Sequence, residues 1–294
     1  MSKISLRLLN EMRLIGRKQL RQKMLRDMLI FRNEDPNQPG IHILICKRDH
    51  EMAIISAMMI NYLGNKGHKF IFHDDGSIDD QIETKINTYL PGIKLIRRKI
   101  ADKIIEQALL PFPAMMKFRR KQVLAMKLID VPLFSGHERI GYMDSDILFF
   151  QYPAEFFRSL NEKTESNIFN KDIANAYVTN PDNIYAALGI KIPSKINSGL
   201  WAMNRKDFDF ERIESWLKQS FLFPYLSDYR LEQTICAMLA GTSDAKTEHF
   251  PTGYDVSFEK YPEASICKHY VGRIRYGYEL EGLDYIIKQK NRTH

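Results

Sequence analysis

The chain has 294 residues, of which 44% are hydrophobic, 11% are aromatic and 27% are charged. This length supports one large α/β domain or two small ones, and the composition excludes a disordered chain and a fibrous repeat. The net charge of +7 comes from residues 1–33, which hold nine Lys and Arg but two Asp and Glu, so the rest is neutral. A nucleic-acid-binding surface over the whole protein is therefore not expected.

Residues 4–31 are predicted to form one basic, amphipathic helix, because apolar residues recur at helical spacing and cations fill much of the remaining surface. Three roles stay open for this helix: attachment to an anionic membrane surface, packing against its own domain or a second subunit, and contact with nucleic acid. Two prolines and a glycine predict a linker at residues 34–40. The predicted organisation is thus a helix at 1–33, the linker, and one domain at 41–294.

Strands and helices alternate in the first half of this domain. The predicted strands are Ile41–Cys46, Lys69–His73, Ile93–Arg97 and Ile140–Met143. The predicted helices are residues 51–63, 78–89, 101–110 and 115–130. This alternation predicts right-handed βαβ units and an α/β fold with a mixed, mostly parallel sheet flanked by helices.

The second half is more mixed. We predict strands at Asn175–Val178 and Gly199–Met203, and helices at Phe210–Phe221 and Tyr229–Leu239. The segment at residues 252–282 is rich in Tyr and Gly, which is typical of irregular loops that form binding sites.

Two aspartates, Asp144 and Asp146, directly follow the predicted strand at Ile140–Met143 and precede another apolar run. Carboxylates in such a buried setting need a partner or a metal ion. Ligands of open α/β sheets collect at the carboxyl ends of the strands. The pair therefore suits a Mn²⁺ or Mg²⁺ ion that also binds phosphate oxygens. A surface turn with two solvated acids is the alternative.

The segment Met143–Phe149 resembles the Asp-x-Asp motif of GT-A glycosyltransferases, which are Rossmann-like nucleotide-diphospho-sugar transferases, and especially that of retaining glycosyltransferase family 8. Three further segments are similar to family motifs and occur in the expected order: Ile196–Met203, Leu231–Ile235 and Lys268–Arg273. Two features depart from the family pattern. The Lys-Pro-Trp that follows the family's His-x-x-Gly is absent, and Glu232 replaces the commoner aspartate.

The resemblance implies that Asp144, Asp146 and His269 bind the metal, Mn²⁺ or Mg²⁺, because a neutral imidazole is a good ligand for such ions. Cations beside the histidine would stabilise the leaving diphosphate, and a glycine would let the backbone approach it. These residues are Lys268, Gly272, Arg273 and Arg275. A solvated basic loop is the alternative.

The resemblance also implies a catalytic role for Glu232 and Gln233. Retaining transfer uses either a carboxylate nucleophile or a front-face attack assisted by the leaving phosphate, and both stay open. An acid placed at a helix start by the helix dipole is the alternative. The remaining predicted donor-binding residues are Cys46, Asp49, Asp75, Lys127, Asp144, Ser145, Asn197 and Ser198.

The predicted function is that of a metal-dependent hexosyltransferase of polysaccharide biosynthesis. It would move a sugar from a nucleotide-diphosphate sugar, UDP-linked, to a saccharide or glycolipid acceptor with retention. One alternative is a sugar-1-phosphate nucleotidyltransferase, although residues 47–51 lack the glycines of its phosphate loop. Another is a non-catalytic nucleotide-sugar-binding protein of the same fold. Sparse cysteines and the lack of a long apolar run predict a cytoplasmic protein, at the inner membrane face if the first helix binds lipid.

Overall fold

The computed structural model describes residues 3–32, 35, 37–161, 166–257 and 261–291, with side chains of the first helix from residue 15 onward. The strands within these residues are β1 (Ile41–Ile45), β2 (Phe70–Asp74), β3 (Lys94–Ile96), β4 (Arg139–Met143), β5 (Ile147–Phe149), β6 (Ser166–Lys171), β7 (Ile196–Asn204), β8 (Lys246–His249), β9 (Tyr254–Asp255) and β10 (Cys267–His269). The α-helices are α1 (Lys3–Asp27), α2 (His50–Gly64), α3 (Asp80–Tyr89), α4 (Arg98–Ala108), α5 (Pro113–Lys121), α6 (Asp130–Phe134), α7 (Ala154–Asn161), α8 (Pro181–Leu188), α9 (Phe210–Leu217), α10 (Arg230–Thr242) and α11 (Asp284–Lys290).

The predicted α/β fold is confirmed, because one large mixed sheet carries helices on both faces. Its seven strands lie in the order β3-β2-β1-β4-β7-β6-β8. β1 is parallel to β2 and β4, β2 is parallel to β3, and β6 is parallel to β8, whereas β7 is antiparallel to β4 and β6. The strand order reverses direction between β1 and β4. In open α/β sheets a ligand crevice forms outside the carboxyl ends of strands at such a point.

Side chains of the central strands alternate between two hydrophobic cores, one on each face of the large sheet. On β1, Ile41, Ile43 and Ile45 are buried in the core that also contains α2, α3 and α7. On β4, Tyr142 belongs to the opposite core and stacks on Trp201 of β7, with 5.3 Å between ring centroids. Burial on both faces explains why these strands are apolar almost throughout.

A second, three-stranded sheet brings the C-terminal part of the chain to the end of β4. Its strands lie in the order β5-β10-β9, and β10 is antiparallel to β5, so His269 lies opposite Ile147. The backbone N–H of Tyr270 also donates to the carbonyl oxygen of Asp146 at 3.0 Å. This pairing places a histidine from the end of the domain beside the two aspartates.

The long helix predicted at residues 115–130 is wrong, because the structure divides this segment. Gln122 adopts an extended backbone (φ −135°, ψ 115°) that ends α5. Its side chain then accepts a hydrogen bond from the N–H of Leu124 at 3.2 Å and begins a 3-10 turn over Val123–Lys127. The helix α6 follows as a separate element.

The strand predicted at Asn175–Val178 is also wrong, since these residues form a loop. Tyr177 and Val178 are buried without sheet pairing. The Tyr177 hydroxyl donates to the carbonyl of Pro193 at 2.7 Å, and the N–H of Val178 donates to Thr234 at 3.0 Å. Their apolar character therefore reflects individual packing positions, whereas the strand of this region is β6.

The second half of α1 packs against the domain. Met24 and Leu25 of α1, and Met28 just beyond its end, are buried in the core that contains α2. The Nε of Arg21 lies 3.3 Å from a carboxylate oxygen of Glu51. Of the roles that the sequence leaves open, packing against its own domain therefore describes this half of the helix.

The boundary between this helix and the domain is described only in part. Residues 33, 34 and 36, around the predicted linker, lie outside the described residues, so the division at 1–33, 34–40 and 41–294 stays a prediction. Within the described part of the chain, no helix combines the length and the hydrophobicity needed to span a bilayer.

Candidate active site

A cleft opens at the carboxyl ends of β1 and β4, where the strand order reverses. Its volume is about 800 Å³, a size typical of small-molecule sites. Ten residues that the sequence predicts as donor or metal ligands line it: Cys46, Asp49, Asp75, Lys127, Asp144, Ser145, Asp146, His269, Gly272 and Arg275. The fold thus brings most of the predicted site together.

Asp144, Asp146 and His269 form one cluster in this cleft. A side-chain oxygen or nitrogen of each lies within 4.8 Å of the others. The Nε2 atom of His269 is 3.2 Å from Asp146 Oδ1 and 3.6 Å from Asp144 Oδ2. Two carboxylates and one imidazole form a ligand set that suits a hard divalent cation.

Hydrogen bonds behind the histidine fix the orientation of its ring. The Nδ1 atom of His269 lies 3.0 Å from Asn197 Oδ1, which also accepts from the N–H of Gly199 at 3.0 Å. The amide nitrogen of Asn197 donates to Asp172 at 3.0 Å. Because Asn197 Oδ1 can only accept, Nδ1 carries a proton, and the neutral ring would offer the lone pair of Nε2 to a cation held by the two aspartates.

The hydrogen bonding of the Nε2 atom of His269 tests whether these residues fit a metal ion. This atom is buried, and although Asp146 Oδ1 lies 3.2 Å away, it forms no hydrogen bond of good geometry with any described residue. A buried polar atom without a partner is unfavourable, and coordination of a cation between Nε2, Asp144 and Asp146 would satisfy it. The residues present therefore fit a divalent metal.

Lys127 is buried between two acidic side chains. Its Nζ atom is 2.9 Å from Asp144 Oδ1 and 3.6 Å from Glu232 Oε2. Burial alone lowers the pKa of Lys127, but the charges of Asp144 and Glu232 raise the pKa above its ordinary value, so the ammonium stays charged. The Tyr142 hydroxyl donates to Asp144 Oδ1 at 2.7 Å. Asp144 is therefore held by two donors.

Glu232 and Gln233 lie behind the cleft rather than in its lining. Glu232 Oε2 accepts from the Ser198 hydroxyl at 2.8 Å, and Gln233 Oε1 accepts from the N–H of Ser198 at 3.2 Å. Glu232 Oε1 is buried without a hydrogen-bond partner among the described residues. Burial raises the pKa of Glu232 to about 7, although Lys127 opposes this shift. Lys127 therefore lies beside a Glu232 carboxyl group whose pKa is close to neutral pH.

Four alternating charges, which we call the charge row, connect the β1–α2 loop to the aspartate pair. Arg48 donates to both carboxylate oxygens of Asp49 at 2.9 and 2.8 Å. Arg275 Nη2 lies 2.8 Å from Asp49 Oδ2 and 3.2 Å from Asp146 Oδ2. Burial alone raises the pKa of Asp146, but His269 and Arg275 lower this pKa below its ordinary value. Asp146 is therefore ionised.

Two predicted basic residues do not line the cleft. Lys268 precedes His269 on β10, and neighbouring residues on a strand point to opposite faces. Its buried Nζ atom donates to Glu281 at 2.7 Å. Arg273 lines a neighbouring cleft on the other side of Val271. The predicted residues that support the cleft from behind are Asn197, Ser198, Glu232 and Gln233.

The sequence prediction omits several residues of the site. Tyr142 was detectable, since side chains two apart on a strand share a face and Asp144 follows it at that spacing. Asp172 lies in an irregular segment and meets Asn197 only through the tertiary fold, so no local pattern indicates it. Tyr229, an exposed lining residue, likewise has no local signature.

Solved structures with a similar fold are glycosyltransferases. Mouse xyloside xylosyltransferase 1 matches with a TM-score of 0.50 and 13% identity, over 81% of this chain and 98% of that chain. The galactosyltransferase LgtC, in complex with donor and acceptor sugar analogues, matches with a TM-score of 0.51 and 11% identity, over 80% and 87%. An active-site mutant of LgtC matches with a TM-score of 0.53 and 12% identity, over 85% and 95%. The predicted GT-A fold is thereby confirmed.

No protein-family model matches the sequence, and no curated protein matches it.

Proposed function

We propose that this GT-A protein is a metal-dependent glycosyltransferase that moves a hexose from a nucleotide-diphosphate sugar, UDP-linked, to a saccharide or lipid-linked acceptor. The proposal rests on Asp144, Asp146 and the buried Nε2 atom of His269, which converge in a cleft of about 800 Å³. Two of the solved structures of similar fold are, by their names, a xylosyltransferase and a galactosyltransferase.

The metal, Mn²⁺ or Mg²⁺, would be held by Asp144, Asp146 and His269, and would neutralise the negative charge of the departing diphosphate. The chain's own contribution is to fix these ligands before the donor binds. Asn197 orients the imidazole, and Lys127 holds Asp144. A preorganised site of this kind stabilises charge without rearranging during the reaction.

Arg275 is the cation of the chain that we assign to the diphosphate. A guanidinium can bind two phosphate oxygens at once, and Arg275 lines the cleft beside Asp146. Gly272, at φ +57°, supplies a left-handed turn just before it, a conformation that other residues rarely adopt. We expect Arg275 to exchange Asp49 for the diphosphate when the donor binds.

We infer retention of the anomeric configuration from the resemblance to family 8. Glu232 stands behind Lys127 and outside the cleft lining, which favours a front-face attack over a Glu232 nucleophile. Glu232 would then act by holding Lys127 and Ser198. Proton NMR of freshly formed product reads the anomeric configuration directly. Inversion relative to the donor would contradict this part of the proposal.

A donor screen tests the proposed activity. UDP-, GDP- and ADP-linked sugars are incubated with the protein and Mn²⁺, with and without EDTA, and nucleotide release is measured. We expect release from a UDP-sugar that EDTA abolishes. Asp146→Asn should lose this activity, whereas Asp182→Asn, the same change at an exposed position of α8, should keep it.

The proposal fails under one combined outcome. No donor is hydrolysed or transferred, and Asp146→Asn leaves metal-dependent nucleotide binding unchanged when binding is measured by calorimetry. The second measurement separates an inactive acceptor choice from a metal and nucleotide site that does not involve Asp146.

We also propose that the protein attaches peripherally to an anionic membrane at its cytoplasmic face. Apolar side chains remain exposed on α1 and just beyond its end, with 57% exposure at Ile15, 63% at Leu29 and 51% at Ile30. The exposed cations Lys18 and Arg26 lie between them. Such a surface suits the headgroup region of an anionic bilayer.

Vesicle co-sedimentation tests this attachment. Deleting the helix would uncover core residues, so we choose the surface variant Leu29→Ser with Ile30→Ser. It should pellet less than the wild type with phosphatidylglycerol vesicles. Ile100→Ser with Ile104→Ser, at exposed positions of α4, is the matched control. Equal pelleting of both variants and the wild type would rule out the membrane role.

A further inference from the structure

A second cleft, of about 530 Å³, adjoins the active-site cleft where α1, the β1–α2 loop and α3 meet, and Lys47 and Arg48 line both clefts. Five cationic side chains line this second cleft, and we call them the basic groove: Lys18, Arg21, Lys47, Arg48 and Lys85. Glu51 is the one carboxylate among the described residues that line it. A concave surface with this excess of cations concentrates anions.

The carboxylate of Glu51 already contacts donor side chains of the protein. Its Oε1 accepts from Lys85 and, at 2.5 Å, from Gln22. Its Oε2 lies 3.3 Å from the Nε of Arg21. The Nε of Arg21 also lies 3.6 Å from the buried Glu279, so two buried carboxylates order Arg21 and Lys85 at one side of the groove.

The two cations contributed by the β1–α2 loop are largely exposed. The side chains of Lys47 and Arg48 are 66% and 72% exposed. Lys47 pairs with Asp79 at 2.8 Å, and that carboxylate is itself partly exposed. Exposed ion pairs of this kind contribute little free energy, so an incoming anion can recruit the lysine.

Carboxylates precede the groove residues of α3. Asp79 caps α3 and pairs with the groove cation Lys47, and Asp80 follows directly before the lining residue Gln81. A long polyanion such as nucleic acid would have to pass these carboxylates. A single phosphate group, which lysine and arginine bind well, need not.

We infer that the basic groove binds one phosphate group, carried either by a soluble phosphorylated ligand or by a lipid headgroup. Lys47 and Arg48 border both clefts, whereas Lys18, Arg21 and Lys85 line the groove alone, so we place the phosphate group at these three cations and not at the donor diphosphate. The inference therefore stands whether or not the protein transfers sugar.

The first test uses inorganic phosphate. Broadening of its ³¹P NMR signal is titrated with protein in EDTA and without nucleotide, which removes metal-dependent binding at the active site. Lys18→Glu and Gln81→Glu change exposed residues and place a negative charge in the groove. Gln81→Glu should weaken binding about fivefold and Lys18→Glu about 25-fold, since each unit of charge near an anionic group contributes about fivefold. Lys103→Glu, at an exposed position of α4, should bind like the wild type.

The second test identifies the source of the phosphate group. Phosphatidylcholine vesicles with and without phosphatidic acid are sedimented with the same four proteins. Pelleting that needs phosphatidic acid and is reduced by Gln81→Glu supports a lipid headgroup. Variant-dependent NMR broadening without such pelleting supports a soluble ligand. Identical behaviour of the wild type, Lys18→Glu and Gln81→Glu in both assays overturns the inference, and leaves the outcome of the donor screen unaffected.

Discussion

The imidazole of His269 packs directly against the Cα atom of Gly199. A methyl group at position 199 would lie 2.2 Å from Cε1 and 2.6 Å from Nδ1 of the ring, whereas carbon atoms in contact are about 3.5–4.0 Å apart. Gly199 belongs to the same segment as Asn197, which binds the Nδ1 of the ring. One short segment of β7 therefore fixes both the orientation of the histidine and the space it occupies.

Gly199→Ala should displace His269 and weaken Mn²⁺ binding by about 10–100-fold, the usual effect of disturbing a group that orients a metal ligand. The electron paramagnetic resonance signal of free Mn²⁺ measures this affinity. Gly136→Ala is the matched control, because a methyl group there meets no atom within 4 Å. Wild-type affinity in a correctly folded Gly199→Ala protein would show that His269 is not a ligand.

Mn²⁺ binding should weaken as the pH falls. Burial alone lowers the pKa of His269, but the charges of Asp146 and Asp144 raise this pKa above its ordinary value in the metal-free protein. A proton on Nε2 competes with the metal. Affinity should therefore be full above the raised pKa and decline below it.

The same Mn²⁺ titration, repeated across a pH series, checks this. His269→Gln, which has no imidazole to protonate, should bind more weakly and lose the pH dependence in this range. A wild-type affinity that stays constant down to about pH 5, well below the ordinary pKa of histidine, would contradict the assignment.

Lys127→Met should destabilise the fold by about 3–5 kcal/mol, since it leaves the carboxylates of Asp144 and Glu232 without their shared cation. Urea unfolding measures the loss. Lys103→Met, at an exposed position, should change stability little. Adding Glu232→Gln to Lys127→Met should recover part of the loss, because one of the two unpaired carboxylates is then absent. A double variant as unstable as Lys127→Met alone would show that these residues act independently.

Glu232→Gln should stabilise the metal-free protein at alkaline pH more than at acid pH. The pKa of Glu232 rises on folding from 4.5 to about 7, so the folded state binds this proton more tightly than the unfolded chain. The group's contribution to stability is therefore full below pH 4.5 and is lost as the pH rises through about 7. At about pH 8 the buried carboxylate costs at most about 3 kcal/mol.

Glutamine mimics the protonated acid, so its advantage should vanish in the acid range. Thermal unfolding of both proteins at about pH 5 and pH 8 measures the difference. A shift in Tm of equal size at the two pH values would refute the raised pKa.

The sequence predicts well those elements in which the side chains on both faces are buried. The runs at β1, β2, β4 and β7 are apolar and bounded by turn or acidic residues, because both faces of a central strand meet a core. The aspartate pair stands out for the same reason, since carboxylates beside buried strands require a partner. Here the local sequence and the tertiary environment impose the same pattern.

The errors arise where the tertiary environment acts on single residues. Lys268 and His269 are neighbours in the sequence, yet strand alternation sends one toward Glu281 and the other toward the aspartates. Tyr177 is buried by a loop contact that no periodic pattern reveals. The basic groove joins residues from α1 to α3, so only the folded chain shows it.

The charge row determines what the donor diphosphate must displace when it binds. In the donor-free protein Asp49 already serves as an internal counterion for the guanidinium of Arg275, at 2.8 Å. We therefore expect donor capture to proceed as an exchange of anions, in which the released carboxylate falls back on Arg48. Such an exchange selects against singly charged anions, because they would bind Arg275 with no more favourable free energy than the aspartate they displace.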